Sequence, residues 1–491
     1  MWTIATVFGL LGALFRVVQG DYVAAVVEFH SIISTQPNIT LEENVNEFVH
    51  QIASAKIAGA QIIVFPEYGL TGLVQEPENY SIQVPPVGTV PSADVDYYLT
   101  RLSNAASEHS IYVVINVLER ANRTRDDINE TIYYNTNVVF GSSGAIIAKY
   151  RKLNLYFEPK LTPGNETVVF DTDFGTFGLI TCNDILFRDP AQTVLRNGTV
   201  TDVIFTAAWS SELPFFTSLQ VQAGYAAANG INLLAANLNR PSGAGSGSGI
   251  YRRDGTILRQ VITGSPSTTL LFANVESIVK PRNFNPFGFG ILRNETTDEL
   301  AGLQTLRDFD SSSYTLKSPD LSLNGNNVTE QVCRGSFCCS FNVVVNQANS
   351  SEFYKLLAFN GRKNIGELDV NVQLCALIGC ERDDADTCGI RRTFTTKFSQ
   401  ITVWGNFENR PDTFFRPTSL RGDLRPVSNA TYLESRVNET LGISFNTSKV
   451  ENNVLVFGII ATGGSSRMSL SFVFVGAVSI AMRALMFRIF A

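Results

Sequence analysis

Seven cysteines divide unevenly along the chain. Six crowd together as Cys333, Cys338, Cys339, Cys375, Cys380 and Cys388, enough for three bridges. Cys182 stands apart in Gly178-Leu179-Ile180-Thr181-Cys182-Asn183-Asp184, with no thiol near it in sequence. A leftover cysteine in an exported chain is an intermolecular link, an inert buried thiol or a reactive one. Only the thiolate attacks, and a free thiol has a pKa of about 8.5, so a reactive Cys182 needs a base and a nearby cation. Histidine is the usual base, but the chain has only His30, His50 and His109, none at a strand end suited to pairing with Cys182. That argues against a cysteine-protease dyad and leaves a carboxylate and an ammonium. Glu67, directly after Phe65-Pro66, and Lys152, directly after Lys149-Tyr150-Arg151, are the candidates.

All three fall where strands end. Tyr22 to Phe29, Gln61 to Phe65, Ile111 to Val117, Phe177 to Thr181, Val203 to Thr206 and Asn232 to Ala236 are β-branched or aromatic runs that predict strands. Thr136 to Phe140 and Ala145 to Lys149 predict a hairpin across Gly141-Ser142-Ser143-Gly144. Leu41, Val45, Phe48, Val49 and Ile52 recur on one helix face, with Thr40 and Glu43 as a capping box at its start. Helices are also expected to end near Glu108 and to cover Leu219 to Asn229. Such alternation predicts an α/β domain running to about Lys280, and open α/β sheets bind ligands beyond their strand ends. Glu67, Lys152 and Cys182 are therefore expected to converge. As polar groups at strand ends, Glu67 and Lys152 are expected to contribute little to the core.

The residues around these three resemble the catalytic motifs of the nitrilase superfamily, in its vanin/biotinidase branch. They read Phe65-Pro66-Glu67-Tyr68-Gly69-Leu70, Tyr150-Arg151-Lys152-Leu153-Asn154-Leu155-Tyr156-Phe157-Glu158 and Thr181-Cys182-Asn183-Asp184-Ile185-Leu186-Phe187. The resemblance continues through Ala208-Trp209 and Gly247-Ser248-Gly249-Ile250-Tyr251 to Phe337-Cys338-Cys339, Val372 to Cys380, Asp386-Thr387-Cys388-Gly389 and Val403-Trp404-Gly405-Asn406-Phe407. It implies an α-β-β-α sandwich with a smaller, disulfide-stapled, β-rich C-terminal domain. It further implies an amidase without a cofactor, hydrolysing a linear carbon–nitrogen amide such as pantetheine or a biotin amide through a cysteine thioester. Glu67 would be the general base, Cys182 the nucleophile, and Lys152 with the Asn183 backbone N–H the oxyanion donors. Glu158 matches a supporting glutamate. Asn183 replaces the Phe that follows the cysteine in many vertebrate members. A catalytically silent surface protein on the same fold is the rival reading, and a nitrile hydrolase a third.

Export is expected on two grounds. Residues 1–20 are almost wholly apolar, broken by Arg16, and end in Val18-Gln19-Gly20, as a signal peptide does. Twelve N-x-Ser/Thr sequons follow, at Asn38, Asn79, Asn122, Asn129, Asn165, Asn197, Asn294, Asn327, Asn349, Asn429, Asn438 and Asn446. At the other end, small residues at Gly463-Gly464-Ser465-Ser466 precede an uncharged run from Met468 to Met482. This resembles a GPI-attachment signal, with Gly463, Gly464 or Ser465 as the lipidated residue and the tail removed. The expected domains are then 1–20, 21–280, 281–462 and 463–491, with the product on the extracellular face of the plasma membrane. A net charge of -7 without a basic block argues against nucleic acid as a partner.

An oxidising compartment makes three disulfides the expected state of the six clustered cysteines. Zinc at Cys375 and Cys380, or at Cys338-Cys339, is disfavoured because no histidine lies nearby. Phe341 to Val345, Val370 to Leu374, Phe398 to Val403 and Val454 to Ile460 predict strands. Whether that domain only packs on the first or also bounds the substrate is open. The Gly-rich run Ser242 to Gly249 lacks the Lys-Ser/Thr of a phosphate cradle and is expected to be a flexible loop at the rim of the site.

Overall fold

The buried Val- and Ala-rich run β1 (Tyr22–Glu28) opens a sheet whose two faces are both covered, as its near-absence of polar residues requires. The computed structural model describes residues 21–125, 128–253, 256–276, 287–288, 300–427, 430–437, 440–447 and 449–467. After β1 come α1 (Pro37–Ile57), β2 (Ile62–Val64), α2 (Tyr97–Glu108), β3 (Tyr112–Arg125), β4 (Ile128–Phe140) and β5 (Ile146–Arg151). They are followed by β6 (Val169–Asp171), β7 (Thr176–Thr181), the short helix α3 (Arg188–Ala191), β8 (Asp202–Ala207), β9 (Glu212–Leu213) and α4 (Ser218–Asn229). The strands β10 (Asn232–Asn237), β11 (Ser248–Tyr251), β12 (Ile257–Val261) and β13 (Thr269–Val275) complete the first domain.

Two six-stranded sheets result, ordered β13-β1-β2-β3-β4-β5 and β12-β11-β10-β8-β7-β6. Val26, Val64 and Val114 of the first meet Leu179, Ile204 and Leu234 of the second in one core layer. Phe48 of α1 and Leu99 and Leu102 of α2 cover the outer face of the first sheet. Helix α4 covers the second. The expected α-β-β-α sandwich is thus present, and every predicted strand and helix of this domain is found, although β3 runs eight residues beyond Val117 and β4 starts eight before Thr136.

Two local expectations fail. No capping box forms at Thr40 and Glu43: α1 starts a turn earlier with Pro37 in its first turn, where a missing N–H costs nothing. Thr40 is buried inside that turn, its hydroxyl accepting from the Ser34 N–H. The Gly-rich run is not a flexible loop. Ala244 to Tyr251 are buried, and the hydroxyls of Ser246 and Ser248 and the Gly247 N–H all donate to the buried Glu28 carboxylate of β1. Glu28 lies 218 residues before Ser246, so no local pattern could reveal the partner.

The second domain is two antiparallel sheets. Its strands are β14 (Phe287–Gly288), β15 (Leu306–Arg307), β16 (Thr315–Lys317), β17 (Asn327–Arg334), β18 (Phe337–Gln347), β19 (Phe353–Ile365) and β20 (Leu368–Cys380). Then follow β21 (Lys397–Glu408), β22 (Phe414–Arg421), β23 (Ala430–Val437), β24 (Thr440–Thr447) and β25 (Val454–Arg467). One sheet runs β14-β23-β24-β21-β18-β17, the other β16-β19-β20-β25-β22, while β15 pairs with β9 of the first domain. The six cysteines form Cys333–Cys338, Cys339–Cys375 and Cys380–Cys388. Cys339 is on β18 and Cys375 on β20, so the second bridge staples the two sheets together, and no clustered sulfur is left for zinc.

The two domains share one apolar core. Tyr225 and Ala226 of α4 lie in the same cluster as Phe414, Phe457 and Ile459. Gly224 faces β22 so closely that a Cβ there would stand 2.4 Å from the Pro417 carbonyl oxygen. The small-residue patch is also strand: within β25, Gly463 pairs with Asn371 and Ser466 with Asp369 of β20. Residues 1–20, the tail from Met468, the 280/281 boundary and the sequons Asn294, Asn429 and Asn438 lie outside the described residues. The other nine sequon asparagines are exposed or half-buried, none fully buried.

Candidate active site

The chain turns sharply beside Glu67, at Cys182 and beside Glu158. Pro66 stops β2, and Tyr68 after Glu67 has φ +57°. Cys182 follows β7 directly with φ +47°, and Phe157 before Glu158 has φ +50°. Left-handed backbone at non-glycine residues costs about 1–3 kcal/mol each, and three such residues within one site mark it as held by its surroundings.

Those turns bring Glu67, Lys152, Glu158 and Cys182 together. Lys152 Nζ donates to Glu67 Oε1 at 2.8 Å and to Glu158 Oε2 at 2.7 Å. Asn135 Nδ2 bridges Glu67 Oε1 and Glu158 Oε1, both at 2.7 Å. The second Glu67 oxygen accepts from the Ala208 N–H at 2.7 Å. Glu158 also accepts from the Tyr68 hydroxyl at 2.6 Å and the Tyr156 N–H at 2.9 Å. So Glu158 belongs to the site as a second carboxylate on Lys152. The expectation that Glu67 and Lys152 contribute little to the core is wrong. Their side chains are 1 % and 2 % exposed, and a buried charge left without its partner is costly.

The electrostatics follow from that burial. Two carboxylates and one ammonium leave the cluster with one negative charge. Burial pushes the Cys182 thiol well above its usual range, the Glu67 carboxylate adds to the rise, and Lys152 offsets only part of it. The resting sulfur is a neutral, unpaired thiol. Burial opposes the Lys152 charge, but Glu158 and Glu67 more than restore it and hold the ammonium well above its ordinary pKa. Burial likewise disfavours the Glu158 carboxylate, yet Lys152 and the donors around it keep its pKa below the ordinary value.

Asp184 ties the cysteine turn to the lysine strand. Its carboxylate accepts from the Tyr150 hydroxyl at 2.6 Å, the Asn154 N–H at 2.8 Å and the Thr181 N–H at 3.0 Å. Tyr150 and Asn154 flank Lys152, so Cys182 and Lys152 are set by one group. Burial raises the Asp184 pKa to about 6. Behind the site a buried amide ladder crosses between the sheets. Asn116 donates to Asn135 and Asn137, and Asn137 is bonded to Thr181 and Thr206 of the second sheet. The Asn183 N–H opens the short 3₁₀ turn Cys182–Leu186 and meets no acceptor among the described residues, as an oxyanion donor requires.

Comparison with known proteins agrees with this geometry. Residues 24–277 match the carbon-nitrogen hydrolase family, and residues 303–464 match the vanin C-terminal domain. The chain belongs to the vanin group of carbon-nitrogen hydrolases. It is 31% identical to vanin-like protein 1 of Drosophila melanogaster, over 93% of this chain and 90% of that protein. It is 32% identical to a biotinidase of Takifugu rubripes, over 79% of this chain and 85% of that one. A pantetheinase of Bos taurus is 31% identical over 79% of this chain and 80% of its own. As a member of this family the chain is an amidase of the nitrilase type, a hydrolase of carbon–nitrogen bonds other than peptide bonds.

The sequence alone does not mark Asn135, Tyr68, Asn116 and Asp184 as site residues. One signal was available for one of them: Asn135 alternates with Asn137 along β4, and an amide buried on a strand needs a partner.

Proposed function

We propose that this amidase cleaves a linear amide of the pantetheine or biotin-amide class through a thioester on Cys182. The observation that carries this reading is Lys152 bridging Glu67 and Glu158 beside a buried, unpaired Cys182 on a left-handed turn. Glu67 takes the thiol proton as Sγ attacks the amide carbonyl carbon, so the cluster's net charge does not change. The Asn183 N–H and the Lys152 ammonium stabilise the oxyanion; one such donor is typically worth about 3–4 kcal/mol. Protonated Glu67 gives the proton to the departing nitrogen, the carbon–nitrogen bond breaks, and an acyl thioester remains. Glu67 then draws a proton from water as that water attacks the thioester carbon; the carbon–sulfur bond breaks, Sγ takes the proton back from Glu67, and the acid is released. Glu158 holds Lys152 in place throughout. The intact constellation disfavours a catalytically silent role for the fold.

The chain is proposed to act at the cell surface, exported by residues 1–20, glycosylated at exposed sequons and tethered by a lipid. Because the small-residue patch is the end of β25, attachment at Ser465 would keep more of that strand than attachment at Gly463 or Gly464. The test is release of amine from pantetheine and from biocytin, side by side, by wild type and by Cys182→Ala. Release of neither by wild type would reject the substrate class. Phosphatidylinositol-specific phospholipase C should free the enzyme from intact cells, and retention after treatment would reject the lipid tether.

A further inference from the structure

One half-buried carboxylate near the site has no role in this chemistry. Glu212 lies on β9, four residues after Ala208, whose N–H holds Glu67. Its backbone is pinned by two hydrogen bonds with Phe216 and by pairing with Leu306. Leu213 points into the core, so Glu212 faces the other way and stays partly open to solvent. Among the described residues no donor is hydrogen-bonded to its half-buried carboxylate.

Its surroundings define a small site. Tyr156 shares these surroundings: burial raises its phenol pKa, and the Glu212 charge adds to the rise. Tyr156 is fixed at both ends: its N–H is bonded to Glu158, and its ring packs on the tip of the β19–β20 hairpin. There Gly366 has φ +60°, and a Cβ would stand 2.6 Å from the Tyr156 ring. The second domain therefore walls this side of the site. Asp308 and Lys363 complete the surroundings, but Lys363 is already taken by Asp308 at 2.8 Å and by the Tyr314 hydroxyl at 3.0 Å. The charges of Glu212, Asp308 and Lys363 sum to minus one, and the unmatched charge is on Glu212.

We infer that Glu212, with the Tyr156 phenol, forms a subsite that selects amides carrying an ammonium group away from the scissile bond. This rests on the amidase reading above. A fixed carboxylate without a donor, beside a phenol and a like charge, lowers its energy by accepting hydrogen bonds from a cation. Burial raises the Glu212 pKa to about 7, with Asp308 raising it and Lys363 opposing. Cation selection is therefore lost as pH falls through about 7, where the carboxyl becomes neutral.

The test uses two pairs of linear amides, each pair differing only in an ammonium or a methyl group at the far end. One pair carries it on the acyl portion and the other on the leaving amine. The readout is the ratio of kcat/KM for the ammonium amide to that for its neutral partner, which cancels ionisations common to both. In one pair, wild type should favour the ammonium amide by about tenfold or more at pH 8 and lose most of that preference by pH 6. Glu212→Gln should show a lower ratio that no longer depends on pH. A ratio near one, flat with pH in both pairs, would overturn the subsite while leaving the amidase reading intact. Turnover of none of the four by wild type would overturn the amidase reading and the subsite with it. If Glu212→Gln is not secreted, the wild-type pH dependence decides alone.

Discussion

Two buried carboxylates, Glu28 and Glu67, are paired in opposite ways. Glu67 shares the Lys152 ammonium with Glu158 and receives neutral donors from Asn135 and Ala208. Glu28 has neutral donors only: two serine hydroxyls, the Gly247 N–H and the Asn239 amide. Burial raises the Glu28 pKa, and those hydrogen bonds offset part of the rise. The first arrangement can pass a proton, because moving it from Cys182 to Glu67 leaves the total charge unchanged. The second holds β1 to the Gly-rich run and has no proton to exchange. Buried charge alone thus does not mark a catalytic site; a thiol and a counter-charge within the same cluster do.

The largest predicted effect comes from breaking the charged cluster. Lys152→Met should lower turnover by at least about 10²-fold. Because it leaves Glu67 and Glu158 buried without their cation, it should also cost about 3–5 kcal/mol of stability. Glu67→Gln should lose about 10²-fold or more in acylation but much less stability, since Lys152 keeps Glu158. Turnover and urea unfolding of the two variants check this, and a Lys152→Met protein as stable as wild type would refute the burial argument.

Glu28→Ala should invert the pattern. Four donors lose their acceptor, at a cost on the order of 3–5 kcal/mol, while turnover per folded molecule falls far less than in Lys152→Met. A mutant that melts normally but turns over poorly would make Glu28 part of the chemistry.

The disulfides extend the contrast to the second domain. Removing the inter-sheet bridge with Cys339→Ala/Cys375→Ala opens a loop of 36 residues and should cost about 4 kcal/mol. Removing Cys333–Cys338, separated by 5 residues, should cost about 2 kcal/mol by the same relation. Unfolding free energies that rank the other way would show that loop entropy does not govern these bridges.

A smaller effect tests Asp184. Its pKa is raised on folding, so the folded state binds the proton more tightly. The associated stability is present below about pH 4 and is lost as pH rises through about 6. The rise from the ordinary carboxylate range to about 6 corresponds to about 3 kcal/mol. Asp184→Asn should flatten the stability profile over that window, and an unchanged slope would assign the titration elsewhere.

Much of the site was legible because three groups had to meet one chemical need. Cys182 lacked a sequence neighbour among the thiols, no histidine stood at a suitable strand end, and Glu67 and Lys152 each ended a strand. The supporting residues were hidden because their partners are far along the chain. Asn135 meets Glu67 across 68 residues, and Glu28 meets Ser246 across 218. The burial of Glu67 and Lys152 is not legible for a related reason: a strand end is exposed only when nothing packs above it, and here the turn after β5 brings Glu158 onto Lys152 and the segment from Ala208 covers Glu67. The Thr40 capping box failed because Pro37, one turn earlier, starts the helix more cheaply.

Cys182 is proposed to carry the acyl group. Acid-quenching wild-type enzyme during turnover of an amide it hydrolyses, then mapping peptides by mass, tests this directly. The peptide containing Cys182 should gain the mass of the acyl portion and lose it when turnover is allowed to finish. An acyl group found on another residue, or amine released at an undiminished rate by Cys182→Ala, would contradict the account.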